Sequence, residues 1–342
     1  MTEGLREKTN GGHFKVLDGW RGLSILTVLA AHLLPLGPNA WQLNIAAGIL
    51  GMALFFCLSG FLITNFLLRH SSVLDFLIRR LCRIVPLAWL ALPFGLWLAH
   101  AGPDRYLAHF LFYGNWPPFL LTPVTGHFWS LCVEMQFYAG IALLFALGGR
   151  RSLKLLPLAC LCVTAMRIYA GKYDSIETYF RLDEILSGAT LALLYSGEFG
   201  NRAKHVLTLV NPWVAATLLL ASTHVAMRFV DYGRPYFAAA LVGASLSRAS
   251  FPFAALLRGR VLKYIAEVSY ALYIVHPLLA DTWLGAGTKL VKYAKRPLLF
   301  LAIFGVAHVS TFYYESRWIA LGKRIAAKVA ARRSEAREES AT

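Results

Sequence analysis

Charge is what this chain has least of. Asp, Glu, Lys and Arg together make up 15% of its 342 residues, whereas a soluble domain carries about a quarter. With 57% hydrophobic residues as well, a water-exposed surface cannot be drawn around the whole chain. Acidic residues are scarcest, 18 against 34 Lys and Arg, for a formal net charge of +16. That balance does not point to nucleic acid, because most basic residues fall in short segments between apolar runs, as in an integral membrane protein. Cysteine offers no chemistry either. Cys57, Cys82, Cys132, Cys160 and Cys162 lie in or beside apolar runs without metal-ligand spacing, which argues against a disulfide framework and a metal site. Repeats with periods of ~20–50 residues are also missing. The first apolar run leads into Pro35 and Pro38 without a small-residue cleavage site, so it reads as a span and not as a cleaved leader.

What the chain has is apolar length. A bilayer core about 30 Å thick takes roughly 20 residues per helix. On that measure ten candidate spans run at 17–35, 46–68, 84–101, 128–147, 153–170, 181–196, 207–226, 236–251, 264–284 and 297–314. The fold expected is an all-α polytopic membrane protein of about ten transmembrane helices. Segment 105–123 is aromatic and broken by proline, and reads as a loop or re-entrant piece. Basic residues concentrate in the connections on the side of the N-terminus, which places both termini in the cytoplasm. The stretch KLVKYAKR at 289–296 runs against that pattern. Residues 1–15 then form a cytoplasmic segment, 16–315 the membrane domain, and 316–342 a basic amphipathic tail suited to an anionic inner leaflet.

An ionisable group inside a span is costly and marks a functional site by default. The first span, LDGWRGLSILTVLAAHLLPLGP, carries Asp18 and Arg21 at its mouth and His32 deep inside. Counting rises along the helix puts His32 roughly 22 Å from the inner face and Glu134, in HFWSLCVEMQFY, at roughly 21 Å. At matching depth the carboxylate would fix the imidazole's tautomer and stabilise its protonated form, an arrangement for deprotonating a hydroxyl. A structural pair joining two helices is the bland alternative. In DFLIRRLCRIVP, Arg80 and Arg83 are three apart and share a helix face, with Arg79 adjacent. Such forks bind phosphate, although basic residues at an inner edge are also what topology requires. Asp18 and Arg21 form either a helix-mouth salt bridge or a further phosphate contact. Arg181, Asp183 and Glu184 open the sixth span as either acceptor contacts or rim charges. Glu267, Tyr270, Tyr273 and His276 recur at helical spacing on the ninth, and Glu315 is read as an interfacial residue capped by Arg317.

At these residues the sequence resembles the acyltransferase 3 family, integral membrane enzymes that O-acylate carbohydrates. The similarity rests on six collinear blocks: LDGWRGLSILTVLAAH, GMALFFCLSGFLITNFLL, RRLCRIVP, HFWSLCVEMQFY, FRLDEILSGATLA and SYALYIVHPLL. The resemblance implies that His32, ten intervening residues after Arg21, is catalytic. It also implies that Arg80 and Arg83 serve the acyl-CoA donor and that Glu134 occupies the acidic position after Trp129, Ser130 and Leu131. The family's acidic pair is Glu134–Met135–Gln136 here, and its terminal Glu-Pro is Glu315–Ser316. No esterase-like soluble domain is seen after the membrane part, as it is in some relatives.

The expectation is a membrane O-acetyltransferase of a bacterial inner membrane, with partners acyl-CoA, a carbohydrate acceptor and lipid, and without nucleic acid or metal. Arg21, Arg80 and Arg83 would hold the phosphates of acetyl-CoA at the inner mouth. His32, oriented by Glu134, would take the proton of a sugar hydroxyl, with an acyl-histidine relay as a variant. Asp18, Ser130, Tyr138, Asp183 and His276 are the candidate substrate contacts. The competing class is a transporter of an acylated glycan or small organic acid that uses buried His and Glu as a proton relay. A scaffold in a polysaccharide assembly complex is a third.

Overall fold

The computed structural model describes residues 14–70, 72–248 and 251–339, with side chains as far as residue 332. The expected N-terminal segment 1–15 therefore lies almost wholly outside the described residues, as do the last three residues of the tail. The described chain is helical, with no strand.

Helices occupy each of the ten expected segments. They are α1 (Lys15–Leu33), α2 (Leu43–Arg69), α3 (Val73–Leu98), α4 (Pro103–Phe110), α5 (Trp129–Ser152), α6 (Leu156–Tyr169), α7 (Leu182–Ser196), α8 (Asn201–Leu209) and α9 (Pro212–Ala221). After them come α10 (Arg234–Ser247), α11 (Ala254–Leu257), α12 (Arg260–Ala280), α13 (Lys289–Ala294), α14 (Arg296–Val309) and α15 (Ser316–Glu339). Four helical stretches among the described residues are long and apolar enough to cross a membrane: Asn39–Arg69, Val73–Leu98, Gly126–Tyr169 and Arg296–Arg332. The pair α8 and α9, bent by 76°, makes a fifth if it counts as one span. The other segments fall short for physical reasons. Lys15, Asp18 and Arg21 load the start of α1, and Arg260, Lys263 and Glu267 the start of α12. The 15 residues of α7 and 14 of α10 rise only about 22 and 21 Å.

Boundaries follow local chemistry. Ser72 caps α3 by accepting from the Asp75 N–H at 3.2 Å, and Asp75 in turn pairs with Arg79 at 2.6 Å. Asn211 caps α9 by accepting from Trp213 N–H at 2.9 Å, with Pro212 at the first helical position. Residues 105–123, expected as a loop or re-entrant piece, open with the short α4 and continue as turns.

Close helix approach builds the core. A Cβ on Gly60 of α2 would sit 1.8 Å from the Ile185 carbonyl oxygen of α7, and one on Gly188 of α7 would sit 1.8 Å from the Cys57 oxygen of α2. Only the missing side chains let these backbones touch, the small-residue solution to packing helices in lipid. Helix α1 lies between α2 and α12, with Ser24 Oγ donating to the Gly51 carbonyl at 2.6 Å. Each end of α1 borders a cavity.

The tail begins as α15, which continues from α14 through a π-helical turn, Ser310–Glu315, and packs along α3. Glu315 is buried there and accepts from Ser310 Oγ at 3.0 Å and Thr311 Oγ1 at 3.1 Å. It is thus not the interfacial residue capped by Arg317 that the sequence suggested.

Candidate active site

At the start of α1 a cavity of about 170 Å³ is lined by Asp18, Arg21, Arg80, Arg83, Glu134 and Tyr138, among others. Arg21 comes from α1, Arg80 and Arg83 from one face of α3, and Glu134 and Tyr138 from successive turns of α5. Glu134 is buried, and its Oε1 accepts from Tyr138 OH at 2.6 Å and Ser59 Oγ at 2.9 Å. Tyr270 of α12 closes the floor, donating to the Ile84 carbonyl at 2.6 Å. Among the described residues no carboxylate lies within salt-bridge distance of Arg21, Arg80 or Arg83. Three guanidinium groups therefore converge on a space that holds one buried carboxylate, with Asp18 at its edge. Arg80 and Arg83 also line a second space of about 180 Å³ with Arg79 and with Lys323 of α15. The cations thus run from the protein edge into the bundle.

At the other end of α1 an open cavity of about 480 Å³ is lined by His32, His127, Trp129, Asp174, Arg181 and Tyr273, with Asn44 and other residues of α2. The exposed ring of His32 stacks on the fully buried ring of His276, centroids 5.1 Å apart and 16° from parallel. Their contact is a hydrogen bond, His32 Nδ1 to His276 Nε2 at 2.9 Å. The direction of that bond follows from its neighbour. His276 Nδ1 lies 3.0 Å from the Leu272 carbonyl, which only accepts, so Nδ1 carries the hydrogen. In the neutral ring Nε2 then holds a lone pair and accepts from His32 Nδ1–H. His32 Nε2 is left with its own lone pair, the arrangement of a base. Beside it, Tyr273 OH donates to the His127 carbonyl at 2.5 Å, so Ser130 Oγ at 2.5 Å donates to the tyrosine oxygen.

The expected contact between His32 and Glu134 is not formed, and the helix ends explain why. α1 closes at Leu33, so His32 stands in its last turn, while Glu134 is five residues inside α5, about 7 Å deeper. Glu134 belongs with the arginines, and His276 takes the place beside His32. Tyr138 lines the arginine cavity and not the histidine one. Ser130 and His276 are buried behind the outer cavity and act on it through Tyr273 and His32. Glu267 stays near the surface, 3.7 Å from Lys263. Phe55 lines the inner cavity, Tyr273 the outer one, and their rings stack at 6.3 Å, forming the partition between them.

Asp183, expected at the acceptor, is fully buried and bound by Arg167 at 2.5 Å and Thr164 at 3.2 Å. Glu184 pairs with Arg234 at 2.7 Å, which also holds Asp231 at 2.5 Å. The charges that open α7 are therefore a buried ion network joining α6, α7 and α10. One arm of it reaches the cavity: Arg181 packs over Trp129 at 5.2 Å and pairs with Asp174. Burial works against the charge of Asp174, yet Arg181 and Arg234 hold its carboxyl below the usual carboxylate range. Asp174 and His127 were not singled out from the sequence. The first lies in a polar loop, and the second precedes its helix.

Comparison with known proteins places the chain among acyltransferases. The chain is 26% identical over 313 residues to the peptidoglycan O-acetyltransferase OatA of Listeria monocytogenes, covering 78% of this chain and 49% of that protein. It is 25% identical over 325 residues to nodulation protein 10 of Rhizobium leguminosarum bv. viciae, covering 82% and 88%. The chain thus spans about half the length of the Listeria protein. No solved structure matches it. The acyltransferase 3 family model, described as an acyltransferase domain, matches residues 14–315, a stretch that contains both cavities, and the chain belongs to that family of membrane proteins.

Proposed function

We propose that the protein is a membrane O-acyltransferase that moves an acyl group, acetyl in the first instance, from acyl-CoA to a hydroxyl of a cell-surface or exported glycan. The observation that carries the reading is the inner cavity. Three cations around one buried carboxylate repel one another in a low-dielectric bundle, and an anionic ligand relieves that repulsion. The phosphates of coenzyme A supply such a ligand, held by Arg21, Arg80 and Arg83, with Arg79 and Lys323 at the entrance. Glu134 becomes the counter-charge that spaces the arginines.

Distance agrees with the donor's shape. Eleven helical rises along α1 separate Arg21 from His32, or about 16 Å. The pantetheine arm is about a dozen bonds long, ~14 Å when extended at backbone-like dimensions. Its thioester arrives beside the outer cavity once the Phe55–Tyr273 stack parts. There His32 Nε2 accepts the proton of the attacking hydroxyl as the C–O bond forms. The tetrahedral intermediate breaks its C–S bond, and the departing thiolate takes the proton from the imidazolium. His276 holds the reactive tautomer throughout. Asp174, Arg181 and Trp129 form the acceptor side, in place of Asp183. The reading includes the ten-span topology, with the arginine end and both termini cytoplasmic and the histidine end facing out of a bacterial inner membrane. The glycan acceptor is supported by the Listeria relative, which is named for peptidoglycan.

The test is release of free thiol from acetyl-CoA by the purified protein in proteoliposomes with a glycan acceptor. His32→Ala is expected to lower kcat about 10²–10⁴-fold. The double change Arg80→Ala, Arg83→Ala is expected to raise KM for acetyl-CoA about 10- to 100-fold. Transport of a glycan or organic acid without thiol release would instead establish a carrier.

A further inference from the structure

We infer that His127 is a third histidine of this reaction, donating a ring hydrogen bond to the carbonyl oxygen of the acyl donor as that oxygen becomes negative. The inference rests on the acyl-transfer reading above. His127 sits in the single turn Gly126–Phe128 that leads into α5. Its ring is 9% exposed and lines the same cavity as His32, and neither nitrogen makes a hydrogen bond of good geometry, although the Ile274 backbone lies near it. A neutral imidazole always carries one N–H and one lone pair, so a buried ring with neither used costs stability. Packing has not removed the ring. It lies 5.5 Å from Tyr273 and 5.7 Å from His276, centroid to centroid. The residue is anchored by its backbone instead, since its carbonyl accepts from Tyr273 OH. The chain fixes where His127 stands and leaves its side chain unoccupied.

Asn44, Tyr273 and Arg181 are committed elsewhere, and apart from His127 the remaining donor is the indole N–H of Trp129, which packs under Arg181 on the acceptor side. Asn44 donates to the Ala31 and Leu34 carbonyls at 2.7 Å each and accepts from Leu36 N–H at 3.3 Å. Tyr273 gives its hydrogen to His127's own carbonyl, and Arg181 is tied to Asp174 and Glu184. His32 is the base, and a base cannot also stabilise the oxyanion formed when the hydroxyl adds to the thioester. Acyl transfer needs a separate donor for that oxygen, and His127, its ring 5.7 Å from that of His276, is the uncommitted imidazole among the described residues of this cavity. It neither gains nor loses a proton overall. The hydroxyl proton passes through His32 to the thiolate, while His127 donates a hydrogen bond that strengthens as charge builds.

The experiment compares His127→Phe and His127→Gln with His32→Ala, reading kcat, both KM values and Tm in the full-length protein. His127→Phe is expected to lower kcat about 10²–10³-fold with both KM values unchanged. His127→Gln, which keeps an N–H donor, is expected to retain more activity. Because a phenyl ring fills the space without an unpaired polar atom, Tm of His127→Phe should equal or exceed that of the parent. Full activity of His127→Phe with His32→Ala inactive overturns this inference alone. A rise in KM for the acceptor at unchanged kcat overturns the oxyanion role, and a fall in Tm for both variants makes the residue structural. Full activity of His32→Ala places the failure in the acyl-transfer reading instead.

Discussion

The Leu272 carbonyl oxygen sets the direction of every hydrogen bond that ends at His32. It accepts from His276 Nδ1, and the remaining proton positions follow without choice. His276→Phe removes the acceptor while keeping the ring's bulk. It should lower kcat on the order of 10²-fold and leave KM for acetyl-CoA unchanged, because His276 is remote from the arginines. Wild-type kcat in steady-state assays of that variant would remove His276 from the account. Glu134→Gln gives the complementary result. Without a negative charge beside the arginines, KM for acetyl-CoA should hold or fall, with kcat within about threefold. A kcat loss of about 10²-fold at constant KM would instead restore Glu134 as the partner of His32. The sequence made both residues conspicuous, but depth counted from hydropathy boundaries carries an error of a few residues. The observed ends of α1 and α5 leave Glu134 several residues deeper than His32, which exchanges the partners. His276 was visible too: four residues before the end of α12, it stands at the same end of the bundle as His32.

Among elements, the short α7 decides how tightly the bundle closes. It is gripped on one side by the close approach of Gly60 to Ile185 and of Gly188 to Cys57, between α2 and α7, and on the other by Arg167 and Arg234. Gly188→Ala places a methyl group into the Cys57 carbonyl and should cost about 1–3 kcal/mol or more, read as a lowered Tm in detergent. An unchanged Tm would mean that the two helices do not meet as described. The sequence located α7, because its apolar run and its opening charges are both plain in RLDEILSG. It did not reveal that those charges face inward, since their partners come from α6 and α10, far away in the chain. Long-range ion pairs leave no local pattern, whereas apolar periodicity does. The bend between α8 and α9 is not legible in the sequence, which reads as one continuous span at 207–226, and its cause, the capping pair Asn211–Pro212, is readable only afterwards.

In the whole molecule the arrangement is polar at two ends and apolar between them. Basic residues and the tail helix α15 gather where α1 starts, and histidines, Asp174 and the ion network gather where it ends. This sidedness makes the account's central claim, that the donor enters at one membrane face and the acceptor at the other. The direct measurement uses oriented proteoliposomes with membrane-impermeant acetyl-CoA on the arginine face and labelled glycan on the histidine face. The account predicts acetylated glycan when the two substrates are supplied to opposite faces, and none when acetyl-CoA is confined to the histidine face. Transfer that requires both substrates on the same face would contradict it.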